Sequence, residues 1–259
     1  MEVVIVPSAA DVAELAAGII TRVVATIESP VIGLSTGTSP LATYQRLIEL
    51  HRSDNLSFAA ARAVTLDDYV GLPDGHPESY RAVIRRELID HVDLPTERLH
   101  SPDVQAADIA ESCDRFDRRV VELGVDVQLL GIGADGHIGF NEPGSSLASR
   151  TRIKTLTEQT RSDNARFFGS VDDVPRHVVT QGLGTIRDAA HLVMIATGDS
   201  KAEPVAAMVE GPVSASCPAS VLQLHRHVTV LLDEAASTAL RHGEYYRETY
   251  LHKPSWQHL

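Results

Sequence analysis

Short apolar runs typical of buried strands alternate with longer amphipathic segments along the whole chain. The first pair is a strand at Val3–Val6 and a helix that begins after Ser8, whose side chain is suited to capping a helix start. Strands that are apolar on both faces and alternate with helices favour a mostly parallel sheet covered on both sides. The pattern therefore predicts an α/β, doubly wound (Rossmann-like) fold. No repeat or linker divides the sequence, so a single domain over residues 1–259 is expected.

The remaining elements follow from the same periodicity. Further strands are predicted at Val31–Ser35, Arg62–Asp67, Val125–Ile132, His191–Thr197 and His227–Leu232. Further helices are predicted at Leu41–His51, Tyr80–Val92, Ala107–Leu123, Ser200–Val209 and Glu234–Tyr250, with a loop at Asp68–Glu78. In sheets of this type ligands bind beyond the carboxyl ends of the strands, so the residues at those ends are the first candidates for a site.

The charge balance limits the partners that this chain can bind. It carries 35 acidic and 23 basic residues, a formal net charge of −12. Binding to nucleic acid or to an anionic membrane surface is therefore not expected, because both need clustered Lys and Arg. The N-terminus is predicted to be a strand rather than a signal peptide. Cys113 and Cys217 lack the spacing of a zinc site or disulfide framework, so a cytoplasmic location is expected.

Two of the predicted strands end in residues that are suited to a site. The turn Gly33–Pro40 offers backbone N–H groups and the hydroxyls of Thr36, Thr38 and Ser39 beside a helix start, which suits a phosphate. An ordinary glycine-containing turn between a strand and a helix explains the sequence of this segment equally well. The carboxylate pair Asp67 and Asp68 follows the third strand, where a shielded carboxylate can act as a base. For this segment taken alone, the simpler interpretation is that one Asp caps the next turn and the other is exposed to solvent.

The segment Leu130–Pro143 is the densest in functional side chains. Glycines and a final proline bracket Asp135, His137 and Glu142 directly after the most apolar strand. A histidine between two carboxylates is suited to carrying protons near neutral pH. Asp and His also bind metals, but no second histidine lies at ligand spacing. Acid–base chemistry without metal or cofactor is therefore favoured.

Two basic residues complete a possible anion site. Lys201 lies at a helix start, where the helix dipole disfavours a cation unless an anion compensates it. Arg166, flanked by aromatic residues, has the planar fork that binds phosphate, although alone it would be taken for a surface residue. Together these residues predict a site for a small phosphorylated molecule. The reaction class stays open at this point between isomerase, hydrolase and lyase.

Four motifs, taken together, resemble the glucosamine-6-phosphate deaminase family over nearly the full chain. They are Leu-Asp-Asp-Tyr-Val-Gly-Leu (66–72), His-Pro-Glu-Ser-Tyr (76–80), Gly-Ile-Gly-Ala-Asp-Gly-His-Ile-Gly-Phe-Asn-Glu-Pro (131–143) and Ser-Ser-Leu-Ala-Ser-Arg-Thr-Arg-Ile-Lys-Thr-Leu-Thr (145–157). The resemblance implies conversion of D-glucosamine 6-phosphate and water to D-fructose 6-phosphate and ammonia, without metal, in amino sugar catabolism.

The resemblance also implies a role for each matching residue. His137 would open the sugar ring, with Asp135 and Glu142 orienting it, and Asp67 would carry the proton from C2 to C1. The phosphate would be held by Thr36, Gly37, Thr38, Ser39, Arg166 and Lys201.

Regulation is a further expectation from the resemblance. Some relatives are hexamers activated by N-acetylglucosamine 6-phosphate, and the positions that match the activator site are Ser145, Arg152, Lys154 and Thr155. A homo-oligomer, with a hexamer as the leading form, is therefore expected. The alternative to regulation is that these four residues only stabilise their own segment or a contact between subunits. Length and polarity make residues 145–170 the candidate for a lid over the site.

Two other functions compete with deamination. A 6-phosphogluconolactonase-like hydrolase shares the fold and the glycine-rich core around His137, but lactone hydrolysis has no use for an enolising carboxylate at Asp67. A sugar-phosphate sensor that has lost catalysis is expected to lack Asp67 or His137, and both are present.

Overall fold

The computed structural model describes residues 1–53, 56–254 and 256–259, and within them ten strands and eight α-helices are present. The strands are β1 (Glu2–Val6), β2 (Val31–Leu34), β3 (Arg62–Thr65), β4 (Asp67–Val70), β5 (Leu99–His100), β6 (Val127–Gly131), β7 (Arg152–Thr155), β8 (His177–Thr180), β9 (His191–Ala196) and β10 (Val228–Asp233). The helices are α1 (Ala9–Thr26), α2 (Leu41–Ser53), α3 (Tyr80–Glu87), α4 (Ile109–Leu123), α5 (Glu158–Phe168), α6 (Leu183–Arg187), α7 (Ala202–Val209) and α8 (Gly243–Leu251).

Seven strands form one parallel sheet in the order β1-β10-β9-β6-β2-β3-β5. Successive residues point to opposite faces, so Val3 and Ile5 join one apolar core while Val4 and Val6 join the other. Helices α1, α2 and α3 cover one face, and α4, α6 and α7 cover the opposite face. The predicted doubly wound α/β fold is confirmed.

The order of the strands creates a crevice between β2 and β6. From β2 the chain proceeds outward to β3 and β5, whereas from β6 it proceeds in the opposite direction to β9 and β10. The loops that follow β2 and β6 therefore diverge at the carboxyl edge of the sheet, which is where ligands bind in doubly wound folds. The two loops come close together, since a Cβ added to Gly131 would lie 3.5 Å from the Ser39 Oγ.

A second, three-stranded antiparallel sheet in the order β4-β8-β7 adjoins this edge. It packs with α5 around a small apolar cluster of Tyr69, Leu72, Phe140, Leu156, Val174 and Val178. The sequence did not predict this sheet, because β4 lies in the segment predicted to be a loop and β7 and β8 are only four residues long.

Two predicted helices are shorter than expected. Helix α3 ends at Glu87 rather than Val92, because Leu88 leaves the helical conformation and a 3-10 turn follows at Ile89–His91. The helix predicted over Glu234–Tyr250 is α8 alone, preceded by a 3-10 turn at Ala235–Ser237. The Glu210 carboxylate accepts the backbone N–H groups of Arg241 and His242 and so holds the chain in a bend before α8. Among the residues described, no helix has the length and apolar character needed to cross a membrane.

Candidate active site

A cavity of about 480 Å³ opens at the carboxyl edge between β2 and β6. Eight of the residues predicted for catalysis and phosphate binding line it, namely Thr36, Gly37, Thr38, Ser39, Asp67, His137, Arg166 and Lys201. A larger surface cavity of about 710 Å³ behind α5 contains none of the residues predicted for the site. The smaller cavity is therefore the candidate active site, because the chemistry and the topology coincide there.

Asp67 is the first residue of β4 and lies two residues after β3 ends at the carboxyl edge of the parallel sheet. Its side chain is 4% exposed, and no hydrogen bond to its carboxylate is found among the residues described. Burial, together with the charge of Asp68 beside it, raises the pKa of the Asp67 carboxyl well above its ordinary value. Gly139 approaches closely, since an added Cβ there would lie 3.1 Å from the Asp67 Oδ2. A shielded carboxylate of this kind is suited to taking and returning a proton.

Asp68 differs from Asp67, although the two residues are adjacent. Its carboxylate accepts three backbone N–H groups, from Tyr69 at 2.8 Å, Tyr80 at 2.7 Å and Arg81 at 3.1 Å. It therefore joins β4 to the start of α3. Burial raises the pKa of Asp68, and the three donors oppose that shift. One carboxylate of the pair is structural, and the other is left to face the cavity.

His137 is oriented by Asp135. The Nδ1 of His137 lies 2.6 Å from the Asp135 Oδ1, and the same oxygen accepts the backbone N–H of His137 at 3.2 Å. In the neutral ring a proton on Nδ1 donates to Asp135, so Nε2 is left to exchange a proton with a bound molecule. The ring packs directly over Gly133, where any Cβ would collide with it. This explains the glycine before the Asp-Gly-His sequence.

Glu142 forms its hydrogen bonds with the start of α5. Its carboxylate accepts a hydrogen bond from the Thr160 Oγ1 at 2.6 Å and a longer one from the Thr157 Oγ1 at 3.4 Å. Both threonines belong to the start of α5, and no ion pair between Glu142 and His137 is found within the described residues. In this structure the partners of Glu142 are therefore the two threonines at the start of α5, and its expected role in orienting His137 stays a prediction.

Two cations, Lys201 and Arg166, lie close to each other and form the basic end of the cavity. Lys201 closes a 3-10 turn before α7, and its Nζ donates to the Ile132 carbonyl at 2.7 Å. Arg166 lies in the last turn of α5, with its guanidinium 4.8 Å from the centre of the Phe167 ring. Burial and the charge of Arg166 lower the pKa of Lys201. Gly37, with a φ of +93°, shapes the turn after β2 that faces these two cations.

Four residues of α3 line the cavity without having been predicted for the site, namely Tyr80, Val83, Arg86 and Glu87. Tyr80 appeared only within a matching motif, and Arg86 was not considered. The spacing Tyr80, Val83 and Arg86 is the signal that was available, because residues three apart share a helix face. The Tyr80 ring also stacks on Phe140 at a centroid distance of 6.0 Å, which links α3 to the loop that carries His137.

The four residues expected to form an activator site lie outside this cavity. Arg152 and Lys154 are half-buried on one face of β7, whereas Thr155 is exposed on the other. Ser145 is buried in the turn after Glu142. The Arg152 guanidinium donates to the Asn141 Oδ1 at 2.9 Å, and burial lowers the pKa of Arg152. The structure thus connects one of the four directly to the loop that carries Glu142.

Comparison with known proteins assigns the family. The model of the glucosamine-6-phosphate isomerases/6-phosphogluconolactonase family matches residues 7–231. The chain belongs to this family. Among its members, a glucosamine-6-phosphate deaminase from Rhodococcus jostii (strain RHA1) is 60% identical over 262 residues, which cover 99% of each chain. Another from Streptomyces coelicolor (strain ATCC BAA-471 / A3(2) / M145) is 54% identical over 259 residues, again 99% of each.

Solved structures agree with this assignment. A structure described as a monomeric glucosamine-6-phosphate deaminase is 42% identical to this family member, with a TM-score of 0.90 over 92% of this chain and 100% of that chain. A 6-phosphogluconolactonase from Trypanosoma cruzi is 21% identical, with a TM-score of 0.73 over 93% of this chain and 97% of that chain. The second likeness is one of fold alone.

Proposed function

We propose that this protein is a glucosamine-6-phosphate deaminase that converts D-glucosamine 6-phosphate and water to D-fructose 6-phosphate and ammonia in amino sugar catabolism. The observation that carries the proposal is Asp67, a buried carboxylate to which no hydrogen bond is found within the described part of the chain, and which lines the same cavity as His137, Arg166 and Lys201. A lactone hydrolase has no step that requires such a carboxylate. The full-length similarity to proteins named as deaminases supports the same conclusion.

In this mechanism the reaction begins with opening of the sugar ring. The His137 Nε2 exchanges a proton between the C1 hydroxyl and the ring oxygen, while Asp135 stabilises the charge that develops on the imidazole. The phosphate binds the basic end through Arg166, Lys201 and the turn Thr36–Ser39. Holding the phosphate there directs the opposite end of the substrate toward Asp67 and His137.

Asp67 then carries out the isomerisation. Its carboxylate removes the C2 proton while the substrate's ammonium group gives a proton to the C1 carbonyl oxygen, which yields an enolamine with a double bond between C1 and C2. The resulting carboxylic acid then protonates C1. The product is an imine at C2, which water converts to the ketone with release of ammonia. A raised pKa serves both steps, because it makes the carboxylate a stronger base and keeps its proton available for return.

The test is a direct assay of the purified protein with two substrates. With glucosamine 6-phosphate we expect release of ammonia and fructose 6-phosphate in equal amounts. With 6-phosphogluconolactone we expect no hydrolysis above the spontaneous rate. Lactone hydrolysis without ammonia release over a range of pH would overturn the proposal in favour of the other activity named for the family.

Hexamer formation and activation stay predictions of this proposal. Activation by N-acetylglucosamine 6-phosphate through Ser145, Arg152, Lys154 and Thr155 is supported by the contact between Arg152 and Asn141. The 42% identical deaminase is described as monomeric, so a monomeric form is the alternative. Light scattering of the protein with and without the activator, together with the same assay, distinguishes these outcomes.

A further inference from the structure

Lys201 stands on a turn that requires glycine at its start. Gly198, which begins this turn, has a φ of +88° and a ψ of 156°, a combination that only glycine adopts readily. No atom lies within 4 Å of a Cβ added there, so backbone conformation rather than crowding requires the glycine. Because glycine adopts other conformations as readily, contacts from outside the turn must hold this one.

Asp233 supplies that support. It is the last residue of β10 and is 9% exposed. Both of its carboxylate oxygens lie 3.0 Å from the backbone nitrogen of Gly198, and Oδ1 also accepts the N–H of Ala236 at 2.8 Å. No cation pairs with Asp233 among the residues described, so its charge is satisfied by backbone N–H groups.

The contacts continue from this carboxylate to the cavity. The Gly198 carbonyl accepts the N–H of Lys201 at 3.0 Å, and the Lys201 Nζ donates to the Ile132 carbonyl at 2.7 Å. Hydrogen bonds thus connect Asp233 at the end of β10, through Gly198 and Lys201, to the Ile132 carbonyl just after β6. Asp233 lines no part of the cavity itself, so it acts only through Lys201.

We propose that Asp233 is a positioning residue for phosphate binding, which fixes the Gly198–Lys201 turn so that the ammonium group of Lys201 faces the phosphate. The assignment of Lys201 to phosphate rests on the proposed function. A purely structural role, as the cap of a strand end, predicts a loss of stability without a selective effect on binding.

A matched control exists at the opposite edge of the same sheet. The Asp126 Oδ2 accepts the backbone N–H of Val31 at 2.8 Å, so it is also a carboxylate that secures a strand end. It precedes β6 at the amino edge, away from the cavity. Replacing it removes a comparable hydrogen bond without altering the turn that carries Lys201.

The experiment compares Asp233→Ala, Asp233→Asn and Asp126→Ala with the parent protein. The readouts are KM and kcat for glucosamine 6-phosphate, the dissociation constant of inorganic phosphate measured by calorimetry, and the thermal unfolding midpoint. Asp233→Ala is expected to raise KM and the phosphate dissociation constant about tenfold or more, with kcat changed less than about threefold. Asp233→Asn keeps one acceptor oxygen and is expected to give a smaller increase.

Asp126→Ala is expected to lower the unfolding midpoint and to leave phosphate binding unchanged. The proposal is overturned if folded Asp233 variants bind phosphate as tightly as the parent, or if Asp126→Ala weakens binding to the same extent. Phosphate binding is measured without turnover. It therefore tests the role of Asp233 even if the protein releases no ammonia, an outcome that would count against the proposed function alone.

Discussion

All residues of β9 and β10 in the parallel sheet are buried, whereas β7 in the antiparallel sheet alternates between half-buried and exposed residues. The parallel sheet lies between two large apolar cores, and the antiparallel sheet with α5 has a cluster of six buried residues. The cavity lies between them. His137 and Lys201 follow strands of the well-packed sheet, while Arg166 is carried by the polar helix α5.

This difference indicates a division of roles within the site. Proton transfer needs groups held within a few tenths of an ångström, and both proton-transfer residues lie beside the densely packed sheet, His137 in the loop after β6 and Asp67 two residues after β3 ends. Binding of a phosphate tolerates a more mobile support, and a helix on a small core can open to admit substrate. Variants of the proton-transfer residues His137 and Asp67 should therefore mainly reduce kcat, whereas variants of Arg166 on α5, like those that disturb Lys201, should mainly raise KM.

A large effect on kcat is expected from His137, in the loop after β6. His137→Gln removes the group that exchanges protons during ring opening, so kcat should fall by about 10³-fold with little change in KM. Because the His137 side chain is partly exposed and packs over a glycine, the unfolding midpoint should change little. A rise in KM with kcat preserved would place His137 in binding and would break the division proposed above.

A smaller effect is expected on α5. Arg166→Ala removes a charged fork from the basic end of the cavity, so KM should rise by about 10- to 100-fold while kcat falls less. Arg118→Ala, which removes an exposed arginine from α4, controls for the change in net charge. Steady-state kinetics of both variants at one ionic strength measure the effect. A loss confined to kcat would contradict the assignment.

The pH dependence of KM distinguishes the contribution of Lys201 from that of Arg166. Burial and Arg166 lower the pKa of Lys201, so its positive charge is lost at a lower pH than that of an exposed lysine. KM should therefore rise severalfold between about pH 8 and pH 10. Lys201→Arg keeps its charge over this range and should flatten the dependence, whatever its effect on KM at neutral pH. If KM rises equally with pH in the parent protein and in Lys201→Arg, Lys201 is not the source of the pH dependence.

Much of the larger sheet follows from sequence because its strands are continuous apolar runs. The six predicted strands correspond to β1, β2, β3, β6, β9 and β10 of this sheet, although the third ends at Thr65 and its expected last residue, Asp67, begins β4 instead. The Ser8 cap is present, with the Ser8 Oγ accepting the Asp11 N–H at 3.3 Å. The antiparallel sheet gave no such signal, since an exposed four-residue strand such as β7 resembles a loop. Residues 145–170 as a moving lid remain a prediction.

The parts of the site that lie directly after the strands of the parallel sheet could be predicted from the sequence. The pair Asp135 and His137 is local in sequence, and the rule of carboxyl ends brings the other segments together. The partners of Glu142 could not be inferred, because Thr157 and Thr160 reach it only through the position of α5. The different environments of Asp67 and Asp68 likewise depend on which of them meets the start of α3.

The smallest effect concerns stability at the amino edge of the parallel sheet. His191 starts β9 and stacks on His227 with ring centroids 3.6 Å apart. Burial, with lesser contributions from the charges of His227 and His225, lowers the pKa of His191 to about 4. The unfolded chain binds this proton near pH 6.5, so the free energy of unfolding should fall as pH drops from about 6.5 to 4, by at most about 3 kcal/mol.

Urea unfolding at several pH values checks this prediction. His191→Gln should reduce the slope of stability against pH, whereas His252→Gln at an exposed position should leave it unchanged. Neither variant should alter kcat or KM at neutral pH, since both lie away from the cavity. An unchanged slope in His191→Gln would show that this histidine is not the source of acid sensitivity.

The central claim is that one carboxylate of an adjacent pair performs the chemistry while the other holds the fold. The most direct measurement is the rate of ammonia release by Asp67→Asn and Asp68→Asn, each assayed under conditions where circular dichroism shows it to be folded. We predict that Asp67→Asn lowers kcat by about 10³-fold or more without loss of stability, because it replaces a buried carboxylate to which the described residues donate no hydrogen bond. Asp68→Asn should lower the unfolding midpoint and keep kcat within about tenfold. Full activity in Asp67→Asn, or loss of chemistry only in a folded Asp68→Asn, would contradict this account.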